Sequence, residues 1–332
     1  MSIRHTIASR HLAGNLLGDP AERDVYVCLP PSYETSTRRY PVAYLLHGFA
    51  QTAASLVAPG DGRGREQDGP PIEHVLQLAH AGSARELILV VVDGSTRYGG
   101  SQWVSSPVSG CVEEYVTREV VGFIDKRYRT IPLAASRAVF GHSSGGFGAY
   151  HLGSLHPEVF GVIGMLSADS YFEHHAKPIL YRYYESLYEN GADAGECPDG
   201  PIPGNVWSQL SYCYAAAYSP NPAAPHFVEL PIAFPSGAVL EEVWVRWLGF
   251  DPVINSRARL DALASLRGLL LDVGRHDEFG LLWGHRLLRE NLENAGIPHT
   301  YREHGGTHGA PLGYRHLLAL GWLLSVLASS DD

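Results

Sequence analysis

Lysine is almost missing from this chain of 332 residues, where it occurs only as Lys126 and Lys177. Arginine therefore supplies nearly all of the positive charge, and the formal net charge is −10. Proteins that bind nucleic acids need a basic face that contacts phosphates and releases their counterions. The composition therefore argues against a nucleic acid as the partner of this protein.

Long hydrophobic runs are missing as well. No stretch approaches the roughly 20 apolar residues that cross a membrane, and the first residues lack the apolar core of about seven residues that a signal peptide needs. We therefore expect a cytoplasmic protein that makes no contact with a membrane.

Motifs for metals and cofactors are also missing. The cysteines form no C-x-x-C pair, which argues against a zinc site and a disulfide framework, and they lie at Cys28, Cys111, Cys197 and Cys213. No G-x-G-x-x-G or G-x-x-x-x-G-K-[S/T] motif is present. His174 and His175 are adjacent without a spaced third ligand, so we interpret them as solvated or capping side chains. We expect neither a metal nor a cofactor.

Apolar residues, by contrast, make up 45% of the chain and can form a large core. Residues 42–46 and 87–92 are continuous apolar runs that end at His-Gly and Asp-Gly, a pattern typical of strands buried on both faces of a parallel sheet. Further strands are predicted at residues 138–140, 162–166 and 269–273, and antiparallel edge strands at residues 3–9 and 24–29.

The stretches between these strands show the periodicity of helices. Apolar residues recur at helical spacing between Val112 and Tyr128, and similar patterns predict helices at residues 147–155, 281–295 and 312–327. Strand and helix alternate along the chain. This order predicts an α/β protein with a mainly parallel central sheet flanked by helices.

Residues 169–253 interrupt this alternation, because they are rich in proline, glycine and aromatic residues. A segment this long between regular elements is either functional or has structure of its own. We predict an inserted cap here, between core parts at residues 1–168 and 254–332. Its aromatic side chains form either the core of the cap or the wall of an apolar substrate pocket.

Residues 141–145 read Gly-His-Ser-Ser-Gly and match the motif G-x-S-x-G. In a nucleophile elbow the serine lies on a strained turn between a strand and a helix, and small flanking residues let the neighbouring backbone approach. Here a predicted strand ends at Phe140 and a predicted helix begins at Phe147. The pattern predicts Ser143 as a nucleophile, and a merely structural glycine-rich turn is the alternative.

A serine hydroxyl needs a base that takes its proton and an acid that orients the base, and in this type of fold the acid precedes the histidine. Asp277 follows the strand predicted to end near Val273. We favour it over Asp272, which lies within that strand, and over Glu278, one residue later.

His308 is the favoured base, because it lies deep in the glycine-rich loop after residues 301–303. His304 is interpreted as a loop or core histidine. His276 and His142 are interpreted as structural or supporting residues.

Two backbone N–H groups must meet the oxygen of a tetrahedral intermediate. We expect one from Ser144, which follows the nucleophile, and one from Phe49, in the loop after the strand that ends at Leu46. A plain turn is the alternative for residues 47–48. We also predict that Gln102, Trp103 and His142 contact the substrate.

These residues resemble the esterase D, antigen 85 and enterochelin esterase branch of the α/β-hydrolases. The resemblance rests on residues 40–49, 141–150 and 157–160 and on the surroundings of Asp277 and His308. It implies the α/β-hydrolase fold with Ser143 as nucleophile, Asp277 as acid and His308 as base. It also implies Phe49 and Ser144 as the oxyanion hole. Members include carboxylesterases, thioester hydrolases such as S-formylglutathione hydrolase, feruloyl and siderophore esterases, and acyltransferases.

The combined prediction is a serine carboxylesterase that hydrolyses small-molecule esters through an acyl-enzyme intermediate. A thioester hydrolase and an acyltransferase are alternatives with the same chemistry. A non-catalytic binding protein that uses the cap pocket is the alternative from another class. The sequence leaves the oligomeric state open.

Overall fold

The computed structural model describes residues 2–57, 70–189 and 200–329. Eight strands from these ranges form one sheet. They are β1 (Ser2–Ala8), β2 (Glu22–Cys28), β3 (Val42–Leu46), β4 (Ile88–Val92), β5 (Arg137–His142), β6 (Val162–Leu166), β7 (Gly268–Gly274) and β8 (Thr300–His304). Each strand predicted from the apolar runs is present, with small shifts in its bounds.

The strands are ordered β1-β2-β4-β3-β5-β6-β7-β8 across the sheet. β1 pairs with β2 and β2 pairs with β4 in the antiparallel sense, whereas the pairs from β4 to β8 are parallel. The predicted antiparallel edge is therefore confirmed. The carboxyl ends of parallel strands share one edge of a sheet, which is where α/β proteins bind their ligands. β5 lies in the middle of this edge.

The helices in the described ranges alternate with the strands. They are α1 (Ala53–Val57), α2 (Ile72–Ala81), α3 (Val112–Glu114), α4 (Val121–Arg127), α5 (Ser144–Leu155), α6 (Ala176–Glu189), α7 (Val206–Tyr218), α8 (Glu241–Leu248), α9 (Pro252–Asn255), α10 (Leu260–Ala264), α11 (Leu281–Asn294) and α12 (Leu312–Val326). A π-helical segment, Tyr115–Val120, joins α3 to α4 within the helix predicted up to residue 128. α5 begins three residues before its predicted start, because packing on the sheet overrides the low helix propensity of Gly145 and Gly146.

Helices cover both faces of the sheet, because successive side chains of a strand point to opposite faces. In β3, Val42, Tyr44 and Leu46 share a core cluster with residues of α4, α5 and α11. Ala43 and Leu45 belong to a second cluster with residues of α2 and α12. Burial on both faces explains why the parallel strands are continuous apolar runs.

The segment 169–253 contains α6, α7 and α8, and its apolar side chains form a further cluster. Tyr183, Tyr214 and Trp247 lie at its centre and are at most 2% exposed. The cluster also includes Phe147 of α5, which joins the segment to the sheet. Most aromatic residues of the segment therefore form its own core. The division of the chain into two core parts and a cap stays a prediction.

A mainly parallel sheet with helices on both faces and a serine turn after its central strand is the α/β-hydrolase fold, as predicted. Among the described residues, no helix combines the length and the apolar character needed to cross a membrane.

Candidate active site

Ser143 lies between the end of β5 and the start of α5, where the chain turns sharply. Its backbone has φ 58° and ψ −128°, a conformation that costs energy for a residue with a side chain. Two hydrogen bonds hold the turn. The N–H of Ser143 donates to the carbonyl oxygen of Leu166 (2.9 Å), and the carbonyl of Ser143 accepts from the N–H of Phe147 (3.0 Å).

The glycines on both sides of Ser143 are required by close backbone contacts. A Cβ atom at Gly141 would lie 2.5 Å from the carbonyl oxygen of Leu46, and one at Gly145 would lie 2.1 Å from the same atom. No side chain fits such gaps, so only glycine allows the turn to pack against the end of β3. This packing brings the loop with Phe49 next to Ser143.

The structure brings together the three residues predicted as a triad. Nε2 of His308 lies 3.0 Å from Oγ of Ser143, and Nδ1 of His308 lies 2.9 Å from Oδ2 of Asp277. Asp277 follows β7 and His308 follows β8, so both reach the carboxyl edge of the sheet beside the turn after β5. The arrangement can pass a proton from a serine hydroxyl to an imidazole that a carboxylate holds in one tautomer.

The Asp277 carboxylate is buried but stays ionised. Burial alone would raise its pKa, yet the hydrogen bond and the charge of His308 and the hydroxyl of Ser167 hold the pKa below its ordinary value. The N–H of Phe279 also donates to Oδ1 (3.0 Å). A fixed negative charge at this point stabilises a positively charged imidazole at His308.

The backbone of His308 is held by residues below it. Its carbonyl oxygen accepts from Nε2 of His142 (2.8 Å) and from Nη1 of Arg315 (3.1 Å). Arg315 is 1% exposed, and its Nε donates to Oδ1 of Asp272 (2.8 Å). No role was predicted for Arg315 from the sequence. The available signal was an arginine on the apolar stripe of α12, at helical spacing from Leu312 and Ala319.

His142 lies beneath His308, with its ring centroid 4.5 Å away. Burial, followed by the charges of His308 and Arg315, holds the pKa of His142 well below its ordinary value. A neutral His142 can donate to the carbonyl of His308 without adding a second positive charge beside it. His142 also lines the cavity above Ser143, where a substrate contact was predicted.

The two residues predicted to supply the oxyanion hole lie at the same cavity. Phe49 and Ser144 both line it, together with Ser143 and His308. Ser144 is the first residue of α5, so its N–H belongs to the donors that a helix leaves without an internal acceptor. Within the described ranges, the N–H of Phe49 also meets no acceptor. Both N–H groups therefore lack an acceptor among the described residues, as the donors of an oxyanion hole would.

The cavity has a volume of about 430 Å³ and lies between the sheet edge and the segment 169–253. Its polar side includes Gln51, Asp169, His175, Tyr214 and Glu278, besides the residues already described. Its apolar wall consists of Phe49, Val206, Trp207, Leu210, Phe279 and Leu312. The segment 169–253 thus contributes one wall, and the loops after β3, β5, β7 and β8 contribute the other.

The predicted substrate contacts of Trp103 and Gln102 require a correction, because neither residue lines this cavity. Trp103 is 2% exposed and its indole N–H donates to the carbonyl of His47 (3.2 Å). Gly148 makes room for the indole, since a Cβ atom there would lie 2.3 Å from the ring. Gln102 is 1% exposed and donates to Oγ of Ser144 (2.9 Å). Both side chains support the site from within the core.

The histidines that were not predicted as the catalytic base lie in different surroundings. His276 is exposed, and Nδ1 of His304 accepts from the N–H of Gly306 (3.1 Å). His174 is exposed as expected, but His175 is 3% exposed, so the interpretation of both as solvated or capping residues is wrong for His175.

Metal ligation finds no support in the parts of the chain that the structure describes, where no group of three or more His, Cys, Asp or Glu could hold an ion. Cys28, Cys111 and Cys213 are free thiols. Cys197 lies outside the described residues.

Curated relatives of this chain occur in Mycobacterium tuberculosis. Esterase Rv1288 and Esterase MT1326 are each 28% identical to it over 291 residues, which covers 86% of this chain and 52% of each relative. The chain thus spans about half the length of the curated relatives it matches.

Solved structures share the fold at low sequence identity. A ferulic acid esterase is 20% identical with a TM-score of 0.63, and the match covers 98% of both chains. The S-formylglutathione hydrolase FrmB from Staphylococcus aureus is 14% identical with a TM-score of 0.61 and the same coverage. Mycobacterium tuberculosis MPT51 is 13% identical with a TM-score of 0.59, and covers 99% of both chains.

A family model matches residues 20–319, which include the turn at Ser143 and the loops of Asp277 and His308. This match extends over most of the chain, including the segment 169–253. The chain belongs to the esterase family described as "Putative esterase".

Proposed function

We propose that this protein is a serine carboxylesterase with Ser143 as nucleophile, His308 as general base and Asp277 as the residue that orients His308. The observation that carries the proposal is the continuous hydrogen-bonded chain from Asp277 through His308 to Ser143, with distances of 2.9 and 3.0 Å. Membership in the esterase family supports the same class of reaction.

In the first step, Oγ of Ser143 attacks the carbonyl carbon of the ester while its proton passes to Nε2 of His308. Asp277 keeps the proton on Nδ1 in place and stabilises the imidazolium. The carbonyl oxygen becomes negative and accepts hydrogen bonds from the N–H groups of Phe49 and Ser144. When the intermediate collapses, the alcohol leaves with the proton of His308, and the acyl group remains on Ser143.

In the second step, a water molecule replaces the alcohol. His308 takes a proton from this water as it attacks the acyl carbon, and the same oxyanion hole accepts the negative charge. The carboxylic acid then leaves, and the proton of His308 returns to Oγ of Ser143. The enzyme is regenerated without the consumption of a cofactor.

The walls of the cavity support small esters with an apolar group as substrates. Trp207, Leu210 and Phe279 offer apolar contacts, while Glu278 is an exposed carboxylate on the polar side of the cavity. Oε2 of Glu278 accepts from the N–H of His308 (3.0 Å), so this negative charge stands close to the reacting groups. We expect uncharged or cationic esters to be better substrates than anionic ones.

The test is hydrolysis of p-nitrophenyl esters from acetate to long acyl chains by the wild type and by Ser143→Ala. Loss of a triad serine can lower kcat by about a millionfold, so the variant should fall to the background rate. A fluorophosphonate probe should label the wild type and not the variant. Full turnover by Ser143→Ala would overturn the proposal.

A thioester of glutathione serves as a comparison substrate in the same experiment, because two structural neighbours are S-formylglutathione hydrolases. Glutathione carries carboxylates, which Glu278 would repel at the cavity wall. We therefore expect kcat/KM for this thioester to be lower than for an uncharged ester. A higher value would move the proposal to a thioester hydrolase.

Three further predictions from the sequence belong to the same proposal: a cytoplasmic location, no nucleic acid as partner, and a small-molecule ester as the substrate. Cell fractionation and a nucleic-acid binding assay would test the first two.

A further inference from the structure

A second group of serine, aspartate and histidine lies on the wall of the same cavity. Oγ of Ser144 donates to Oδ2 of Asp169 (3.2 Å) and accepts from Nε2 of Gln102 (2.9 Å). The hydroxyl of Tyr214 donates to the same Oδ2 (3.0 Å). Nε2 of His175 lies 2.9 Å from the Tyr214 hydroxyl and 3.6 Å from Oδ1 of Asp169. All five side chains are between 1% and 4% exposed.

This group is not a second nucleophilic site. A serine is activated when an imidazole nitrogen accepts its proton, as His308 can do for Ser143. The partners of Oγ of Ser144 are instead a carboxylate and an amide. A hydroxyl that donates to Asp169 and accepts from Gln102 is held in place rather than deprotonated.

The hydrogen bonds around His175 require a proton on both of its ring nitrogens. Nδ1 faces the carbonyl oxygen of Phe279 (3.1 Å), which can only accept. Nε2 faces the hydroxyl of Tyr214, whose proton is already given to Asp169, and therefore also donates. His175 is thus an imidazolium beside the Asp169 carboxylate. Burial lowers the pKa of His175, but the hydrogen bond and charge of Asp169 raise it above its ordinary value.

The position of this pair matters because of what Ser144 does in the proposed reaction. The N–H of Ser144 is one of the two donors to the substrate oxygen, and its Oγ is held from both sides by Gln102 and Asp169. The Asp169 carboxylate is hydrogen-bonded to Oγ of Ser144, and without a positive partner it would repel the negative charge that forms on the substrate oxygen. The imidazolium of His175 offsets the charge of Asp169 while leaving its hydrogen bond to Ser144 intact.

We propose that Asp169 and His175 are positioning residues for the oxyanion hole, which act through the side chain of Ser144 to aim its N–H at the substrate oxygen. The inference rests on the proposed function. It assigns to the segment 169–253 a part in the reaction beyond forming the cavity wall. Asp169 and His175 need not touch the substrate for this role.

The first test is Ser144→Ala, which removes the hydroxyl and keeps the N–H. Removal of an oxyanion donor costs about 100- to 1,000-fold in kcat, so a donor that is kept but loosened should cost about tenfold, with KM changed by less than about twofold. Ser154→Ala is the matched control, because Ser154 is a buried serine of the same helix whose hydroxyl donates to the carbonyl of His151. The control should keep the kcat of the wild type.

The second test is a double-mutant cycle with Asp169→Asn. If Asp169 acts through the hydroxyl of Ser144, Asp169→Asn should lower kcat by about tenfold in the wild type and have almost no further effect in Ser144→Ala. Additive effects of the two changes would overturn the inference. The thermal midpoint shows whether Asp169→Asn folds. If it does not fold, Ser144→Ala alone tests the inference, because a kcat of Ser144→Ala within twofold of the wild type would overturn the inference.

Together with Ser143→Ala, these variants also distinguish a failure of this inference from a failure of the proposed function. An inactive wild type, or a fully active Ser143→Ala, would overturn the proposed function. An active wild type and an inactive Ser143→Ala, together with an unchanged Ser144→Ala, would overturn only the role of Asp169 and His175.

Discussion

The carboxyl edge of the sheet and the segment 169–253 meet at one cavity, and each carries an aspartate–histidine pair. At the sheet edge, Nε2 of His308 faces a serine hydroxyl and Asp277 stands behind the imidazole. In the segment, the order is reversed, because Asp169 faces the serine hydroxyl and His175 stands behind the carboxylate. The same residue types thus suit proton transfer in one pair and orientation in the other. The order of contacts, rather than the composition of the group, decides which chemistry is possible.

Asp277→Asn should break the sheet-edge pair with the largest effect after loss of Ser143 itself. An amide cannot hold the imidazole of His308 in the tautomer that accepts a proton, and the same change in a well-studied serine protease lowers kcat by about 10⁴-fold. We expect a similar loss in p-nitrophenyl ester hydrolysis. Asp261→Asn, at an exposed aspartate of α10, is the control and should retain full activity. An activity of Asp277→Asn as high as that of Asp261→Asn would contradict the role of Asp277.

His285 lies at the junction between the two regions and should make the stability of the protein depend on pH. Its Nε2 accepts from the N–H of Ala168 (2.9 Å), just before the segment 169–253 begins. Burial lowers its pKa to about 4, so the folded protein resists protonation while the unfolded chain takes up a proton near pH 6.5. Stability from this group is therefore complete above pH 6.5 and is lost as the pH falls to about 4. The loss should be on the order of 3 kcal/mol.

Urea unfolding of the wild type and His285→Gln between pH 7 and pH 4 measures this effect. The glutamine can accept from Ala168 and does not titrate, so the variant should lose less free energy of unfolding on acidification. Identical pH dependence in the two proteins would show that His285 does not contribute.

Trp207→Ala should change the cavity wall that the segment 169–253 contributes and leave the reacting groups in place. Removal of the indole takes apolar contact away from a long acyl chain, so kcat/KM for long-chain esters should fall by about tenfold, while that for acetate should change little. Trp283→Ala, at a half-exposed tryptophan of α11 outside this cavity, is the control. A uniform loss across all chain lengths would mean that Trp207 supports the fold rather than the acyl pocket.

Glu278→Gln should have the smallest effect. It removes one exposed negative charge and keeps an acceptor for the N–H of His308, so the ratio of kcat/KM for an anionic hemisuccinate ester to that for an uncharged ester should rise by about threefold. High salt should reduce the difference between the two enzymes. An unchanged ratio would show that Glu278 does not influence the choice of substrate.

Much of the sheet and the candidate triad could be predicted because their signals are local. Residues 42–46 and 162–166 are apolar throughout, since both faces of these strands are buried. Gly141 and Gly145 flank Ser143 because backbone atoms approach them within distances that no side chain allows. Asp277 and His308 were predicted because each follows a strand of the same parallel sheet. For these residues, position along the chain already implies position at the sheet edge.

Trp103 shows where such reasoning fails. An aromatic residue after a glycine-rich loop suits a pocket wall, but here the indole fills space left by Gly94 and Gly148, which lie far apart in sequence. Nothing in the pattern around Trp103 reports those gaps. The burial of Arg315 and His175 was not predicted for a related reason. A charged side chain is buried only where it has partners, and the sequence does not show which residues those partners are.

Local sequence specifies the alternation of strand and helix, the turn at Ser143 and the order of the triad candidates along the chain, because periodicity and glycine placement act over a few residues. Long-range packing, by contrast, specifies which histidine is buried beside which carboxylate. Arg315 reaches Ser167 across 148 positions, and Tyr214 reaches Asp169 across 45. Contacts of this kind depend on how the sheet edge and the segment 169–253 pack together, and packing over such separations leaves no local pattern.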